Sequence, residues 1–176
     1  MSLLTTIKKM GKSVEKVIAG APRSATGDMD ILDKLKVEHN EVGQMLKKLV
    51  GSSGASERKS LLKKIKGSLV PHLRAEDKVV YDAIIALKDK GAKQDGNEGH
   101  FEHELVEKML ATLGKIDNAT SPEFSAAAKV LKELVEHHVK EEETNVWADV
   151  RANFSDEARL QMDRKFEAAK KKVQVN

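Results

Sequence analysis

Two histidines in this chain are each followed, four residues later, by a glutamate: His72 by Glu76, and His138 by Glu142. In a helix, residues four apart share a face, so each pair aims an imidazole nitrogen and a carboxylate oxygen at one point. Burying such groups among apolar neighbours costs several kcal/mol unless each finds a strong partner. Imidazole and carboxylate without thiolate are typical ligands of iron, manganese or zinc.

An internal repeat adds two further histidines. The segment "VEHNEVGQMLKKL" (37–49) matches "FEHELVEKMLATL" (101–113) at six of thirteen positions and aligns His39 with His103. The segment "HLRAEDKVVY" (72–81) aligns with "HVKEEETNVW" (138–147), so that the two His-x-x-x-Glu pairs coincide. The chain therefore has two similar halves, each with a lone histidine followed by His-x-x-x-Glu.

Four long helical segments must position these residues. In each segment the apolar residues and the candidate ligands recur at alternating spacings of three and four, which is typical of a helix with one face toward a core. Clusters of Gly, Ser, Asn and Pro predict loops, and they lie at 20–28, 51–56, 88–99, 114–122 and 153–156. Short connections favour an up-down-up-down four-helix bundle.

The composition agrees with an all-α protein. The chain has 176 residues, of which 40% are hydrophobic and only 3% aromatic, with Leu, Ala, Lys and Glu abundant. It contains no cysteine, which excludes disulfides, thiolate metal sites and thiol catalysis. The net charge of +3 comes from lysines interspersed with almost as many acids, so we expect a solvated surface and no nucleic-acid partner.

The two ends predict accessory elements. We expect residues 1–28 to form an N-terminal extension with an amphipathic helix over 1–19 and a linker. We expect residues 29–152 to form the bundle and residues 153–176 to form a C-terminal accessory helix. Pro71 predicts a kink or a break in the second segment, and Ser121 with Pro122 predicts the start of the fourth. No apolar run is long enough for a membrane span and no secretory signal is recognisable, so we expect a cytoplasmic protein.

Four imidazoles and two carboxylates on core-facing stripes predict a two-metal centre. If Glu76 and Glu142 each bridge two ions, each ion receives two histidines and two carboxylate oxygens, and positions stay open for a solvent bridge and a small ligand. Open, redox-capable positions favour iron. A lone histidine on an apolar stripe is more often a hydrogen-bonded core residue, but four histidines related by a repeat favour metal binding.

These residues carry a family resemblance. His39, His72-x-x-x-Glu76, His103 and His138-x-x-x-Glu142 resemble the H–HxxxE–H–HxxxE pattern of the hemerythrin-like (HHE cation-binding) domain, over about residues 30–150. The resemblance implies a four-helix bundle with two non-haem iron ions, joined by an oxo or hydroxo bridge, that binds O₂ or related small molecules. Oxygen carriers of the family have a fifth histidine and a final His-x-x-x-x-carboxylate, whereas both halves here have His-x-x-x-Glu.

Several alternatives stay open at this stage. His137 and Glu141 have the same spacing as His138 and Glu142, although the apolar stripe favours the latter pair. His100 is a possible fifth ligand, but we expect a helix to begin close to it and place it at an accessible end. Tyr81 and Trp147 are expected to pack half a turn away from the ligand face.

Three functions compete for the predicted centre. The first is a di-iron protein that binds or senses O₂, NO or peroxide, or handles iron. The second is an enzyme with catalase-like, peroxidase-like or oxidase-like activity. The third is a structural bundle without metal.

Overall fold

The computed structural model describes residues 29–175, and every regular element in that range is helical. Five-residue π-helical turns interrupt the α-helical structure at Asp77–Tyr81 and Glu142–Val146. The amphipathic helix expected over 1–19 and the linker to residue 28 lie outside the described residues. The α-helices are α1 (Ile31–Gly51), α2 (Ala55–Glu76), α3 (Asp82–Ile85), α4 (Lys90–Lys115), α5 (Pro122–Glu141), α6 (Trp147–Asn153) and α7 (Asp156–Lys170).

Short polar side chains cap the start of three of the four longest helices. Asp30 accepts a hydrogen bond from the Leu32 amide before α1, and Asp89 accepts one from the Ala92 amide before α4. Ser121 does the same for α5, with Pro122 in its first turn, as the sequence predicted. The helix expected from Ser155 is also present as α7. α2 runs as one helix through Pro71, so the alternative of two abutting helices is wrong.

The start of α4 differs from the sequence prediction. We predicted a loop over 88–99, but the helix begins at Lys90, so His100 lies inside it and not at its end. A Cβ atom on Gly96 would lie 2.6 Å from Cγ1 of Ile85, and one on Gly99 would lie 2.4 Å from Cε1 of Tyr81. These glycines therefore let α4 pack closely against the π turn and α3, and they do not mark a loop.

The long helices enclose two apolar clusters. α1 packs against α2 and α5, α4 packs against the same two helices, and α7 lies across α1 and α2. One cluster includes Leu46, Leu69, Leu110 and Leu131. The other includes Leu35, Ile84, Val150 and Phe166. None of the described helices is both long and apolar enough to cross a membrane.

Candidate metal centre

A layer of buried polar residues separates the two apolar clusters, and all six residues predicted as metal ligands lie in it. Each is at most 7% exposed, and Glu76 is completely buried. Five of the six, all but Glu142, form two overlapping groups, and within each group the possible ligand atoms lie within 4.8 Å of one another. The first group is His39, His72 and Glu76, and the second is Glu76, His103 and His138.

Both glutamates lie between the two groups. Oε2 of Glu76 is 3.3 Å from Nε2 of His72 and 3.7 Å from Nε2 of His103. On the other side, Oε2 of Glu142 is 3.2 Å from Nε2 of His39 and 3.7 Å from Nε2 of His138. Each carboxylate thus contacts one histidine from each group, which is the placement that a bridging ligand requires.

The outer nitrogen of every one of these histidines faces a second carboxylate. Within each half, Glu38 Oε2 is 3.1 Å from Nδ1 of His72, and Glu102 Oε2 is 2.8 Å from Nδ1 of His138. A carboxylate accepts hydrogen bonds, so these contacts favour a proton on Nδ1 of each ring and turn Nε2 toward the centre of the layer.

The other two contacts link the halves. Asp77 Oδ1 is 2.6 Å from Nδ1 of His103, and Glu143 Oε1 is 3.1 Å from Nδ1 of His39. Sequence reasoning missed all four outer carboxylates. The signal was present in the repeat, because Glu38 coincides with Glu102 and Asp77 aligns with Glu143.

The C-terminal helix also reaches this layer, although the sequence suggested no chemistry for it. Lys170 donates to Glu38 Oε1, and the ring of Phe166 lies edge-on to His72 with centroids 5.7 Å apart. Burial opposes ionisation of Glu38, but its contacts with His72 and Lys170 outweigh burial and lower its pKa to about 2. Glu38 is therefore an anion that holds both α2 and α7.

The two π turns bring aromatic side chains to the layer. We predicted that Tyr81 and Trp147 pack away from the ligand face, and for Trp147 this is wrong, because its Nε1 donates to Oε1 of Glu142 at 2.9 Å. Tyr81 is completely buried with its ring 5.1 Å from that of His103. A π turn holds one more residue than an α turn, so the periodicity of an α-helix misplaces the residues that follow it.

The alternative ligands lie elsewhere. The side chain of His137 is 62% exposed and faces Glu102, whereas His138 is buried in the layer. His100 is half-buried, with Nδ1 at 3.0 Å from Asp77 and Nε2 at 3.6 Å from Asp82. Both ring nitrogens of His100 thus face carboxylates outside the two groups.

The inner atoms of this layer fit a cation. Both carboxylate oxygens of Glu76 are buried without a hydrogen-bond partner among the described residues, and Nε2 of His39 and Oε2 of Glu142 form no well-aligned hydrogen bond although they lie 3.2 Å apart as an ion pair. Buried polar atoms are rarely left in this state, and burial together with the charge of Glu142 raises the pKa of Glu76 well above its usual range. Divalent cations among these atoms would satisfy them and offset the repulsion between the carboxylates.

The histidines differ in their electrostatic surroundings. Burial disfavours the charged form of His39, but the adjacent Glu142 prevails and raises the pKa of His39 to about 9. Burial lowers the pKa of His103 to about 4 despite its contact with Asp77. The carboxylate of Glu142 thus favours the charged form of His39, whereas burial favours the neutral form of His103.

The sequence of this chain matches the family described as the hemerythrin HHE cation-binding domain over residues 30–148. The match covers more than half of the chain, and the chain belongs to this family. The resemblance inferred from the histidines and glutamates is thereby confirmed. The family and the clustered ligand atoms together define a hemerythrin-like domain whose His and Glu residues could bind metal.

One curated relative is a protein named DNA nickase from Nostoc sp. (strain PCC 7120 / SAG 25.82 / UTEX 2576). It is 29% identical to this chain over 147 residues, which cover 84% of this chain and 41% of the relative. This chain thus spans less than half of the length of that protein. No solved structure matches the chain significantly.

Proposed function

We propose that the protein is a non-haem di-iron protein that binds or senses O₂, NO or peroxide, or handles iron. In this proposal His39 and His72 hold one ion, His103 and His138 hold the other, and Glu76 and Glu142 bridge the two. The membership of the chain in a cation-binding family supports metal as the ligand, and the absence of cysteine leaves His and carboxylate to supply the donors.

One observation carries the proposal: Glu76 belongs to both groups of possible ligand atoms. A structural bundle would not need a completely buried glutamate with two unpartnered oxygens. A single-metal site would not need four histidines divided between two groups. Two ions with shared carboxylates account for both features.

Neighbouring residues orient the proposed metal ligands. The four outer carboxylates would orient the imidazoles so that Nε2 of each ring faces a bound ion. Trp147 holds Oε1 of Glu142 by its hydrogen bond, which orients that carboxylate. A bound iron pair would supply open coordination positions and redox chemistry.

A small apolar cavity beside the histidines favours an uncharged ligand. Its walls are mainly aliphatic, with Val42 and Val135 among them, and the rings of His39 and His72 and the carboxylate of Glu38 also line it. Such a lining admits a diatomic molecule more readily than a charged substrate. This supports O₂ or NO over larger or ionic ligands.

We also propose the up-down-up-down bundle that the sequence predicted, with the bundle over 29–152, an extension over 1–28 and an accessory helix over 153–176. Along α1 the chain passes from Leu35 of the second cluster to Leu46 of the first, and along α2 it returns from Leu69 to the second cluster. α4 runs in the same direction as α1, and α5 runs in the same direction as α2.

The same centre supports a second candidate, a di-iron enzyme with catalase-like, peroxidase-like or oxidase-like activity. The relative named DNA nickase adds DNA cleavage as a further possibility for a protein with this domain. Iron-loaded protein should show near-ultraviolet charge-transfer bands that change reversibly with O₂ or NO. Sustained peroxide turnover would favour the enzyme, relaxation of supercoiled plasmid would favour the nickase, and absence of the bands in oxidised protein would contradict di-iron binding.

A further inference from the structure

A cleft between α4 and the π turn after α5 leads from the surface to the layer of candidate ligands. Glu98 and Asn145 are exposed at its mouth, Asp95 and Glu141 are half-buried, and Glu142 lines its buried end. The carboxylates thus form a graded series from solvent inward. The residues that line the cleft in the described part of the chain include no lysine or arginine.

The inner end of the cleft contains buried polar groups that lack a partner. Tyr81 is completely buried, and its hydroxyl has no hydrogen-bond partner within residues 29–175. A Cβ on Gly99, which lines the same cleft, would lie 2.9 Å from this hydroxyl oxygen, so the phenol ends at the cleft wall. Oε2 of Glu142 also lies at this end, where it makes no hydrogen bond and has Nε2 of His39 at 3.2 Å. Independently of the acidic residues outside, the buried end therefore offers oxygen atoms to a ligand.

The carboxylates around the mouth repel one another. Burial raises the pKa of Asp95, and the nearby charges of Asp89 and Glu141 add to the increase. Burial and the charges of Asp95 and Asp89 raise the pKa of Asp149 in the same way. Mutual repulsion of this kind is relieved by a cation.

We infer that this cleft is the route by which divalent cations enter the metal centre, with Glu98 and Asp95 attracting the hydrated ion and Glu142 receiving it. The inference rests on the proposed metal-binding function. The mainly aliphatic cavity lined by Val42 and Val135 includes one carboxylate, that of Glu38, whereas the cleft offers a series of them.

The experiment measures the rate at which metal-free protein takes up ferrous iron under anaerobic conditions, by competition with a coloured chelator. The test variant is Asp95→Asn/Glu98→Gln, which removes two charges from the mouth without touching a proposed ligand. The control is Glu104→Gln/Glu133→Gln, which removes two charges from exposed positions on α4 and α5 outside the cleft, where each glutamate pairs with a lysine. Glu98→Lys, at an exposed position, provides a charge reversal.

At low ionic strength we expect the test variant to load about tenfold more slowly than wild type. Glu98→Lys should also load more slowly, and the control should load at the wild-type rate. The final iron content and the thermal unfolding midpoint should be unchanged in all of them, and the difference in rate should shrink at about 1 M salt.

Equal loading rates for test variant and control, with wild-type protein that does bind iron, would overturn the entry route and leave the proposed function intact. Loss of final iron content in the test variant would also overturn it, because these residues would then belong to the site itself. Failure of wild-type protein to bind iron would overturn the proposed function and the inference with it.

Discussion

The indole nitrogen of Trp147 donates a hydrogen bond to Oε1 of Glu142 at 2.9 Å, and the same indole stacks on His39 with centroids 6.1 Å apart. Trp147 is the only tryptophan in the sequence, so the fluorescence of the whole protein reports on the centre. We expect ferrous iron to quench this emission in proportion to the metal bound, because the indole lies against two proposed ligands. Unchanged emission at full occupancy would contradict the proposed ligand set. Zinc, which has no redox chemistry, should quench less and serves as the control.

Glu76→Gln should abolish stoichiometric binding of both ions, since this carboxylate belongs to both ligand groups. Glu142→Gln should have the same effect, because its Oε2 also contacts one histidine of each group. The matched control is Glu141→Gln, which changes the adjacent half-buried carboxylate and should keep both ions. Elemental analysis of the three variants provides the measurement, and a variant that retains one ion would show that its glutamate is a terminal ligand.

Glu76→Gln also allows a test of the stability of the metal-free protein. Removing a completely buried carboxylate should leave the free energy of unfolding unchanged or raise it, because the native group has no hydrogen-bond partner among the described residues. Chemical denaturation in the presence of a chelator measures this. A clear loss of stability in metal-free protein would indicate a structural role for Glu76 and weaken the metal assignment.

Glu38→Gln should weaken metal binding by about 10- to 100-fold, which is the usual effect of losing a residue that orients a ligand. The Glu38 carboxylate contacts His72 Nδ1 and also accepts from Lys170, so the variant loosens the imidazole and the C-terminal helix together. Glu41→Gln, at an exposed position on the same helix, is the control. Titration with ferrous iron against a chelator would give equal affinities for both variants if the outer carboxylates play no part.

Gly99→Ala should destabilise the fold by about 1–3 kcal/mol, the usual cost of overpacking. The new Cβ would meet the ring of Tyr81 at 2.4 Å, and that ring is fully buried. Gly43→Ala, inside α1 with no atom within 4 Å of its Cβ position, should instead stabilise the protein by up to about 1 kcal/mol. Denaturant unfolding distinguishes the two, and a Gly99→Ala protein as stable as wild type would contradict the close packing of α4.

Much of this architecture follows from periodicity and from the repeat. The stripes that contain Leu46 and Leu69 predicted helices because a 3.6-residue period matches one buried face. The alignment of His39 with His103 in the repeat predicted that the candidate ligands lie in one layer. The start of α4 was not predictable in this way, because Gly96 and Gly99 read as loop residues until their contacts with Ile85 and Tyr81 are known.

The surroundings of the centre were harder to predict than its inner residues. The period of an α-helix places Trp147 on the face away from the ligands. The π turn over Glu142–Val146 contains an extra residue, so it rotates the side chains that follow it around the helix axis. The outer carboxylates act between helices, as in the contact of Asp77 with His103, and spacing along one helix does not indicate such pairs. The identity of Glu38 and Glu102 in the repeat was the available signal.

The most direct test is the metal content of protein purified after expression in iron-replete medium, measured by elemental analysis against an accurate protein concentration. Two groups of histidines that share Glu76 predict two iron ions per chain. One ion per chain, or mainly zinc, would contradict the account.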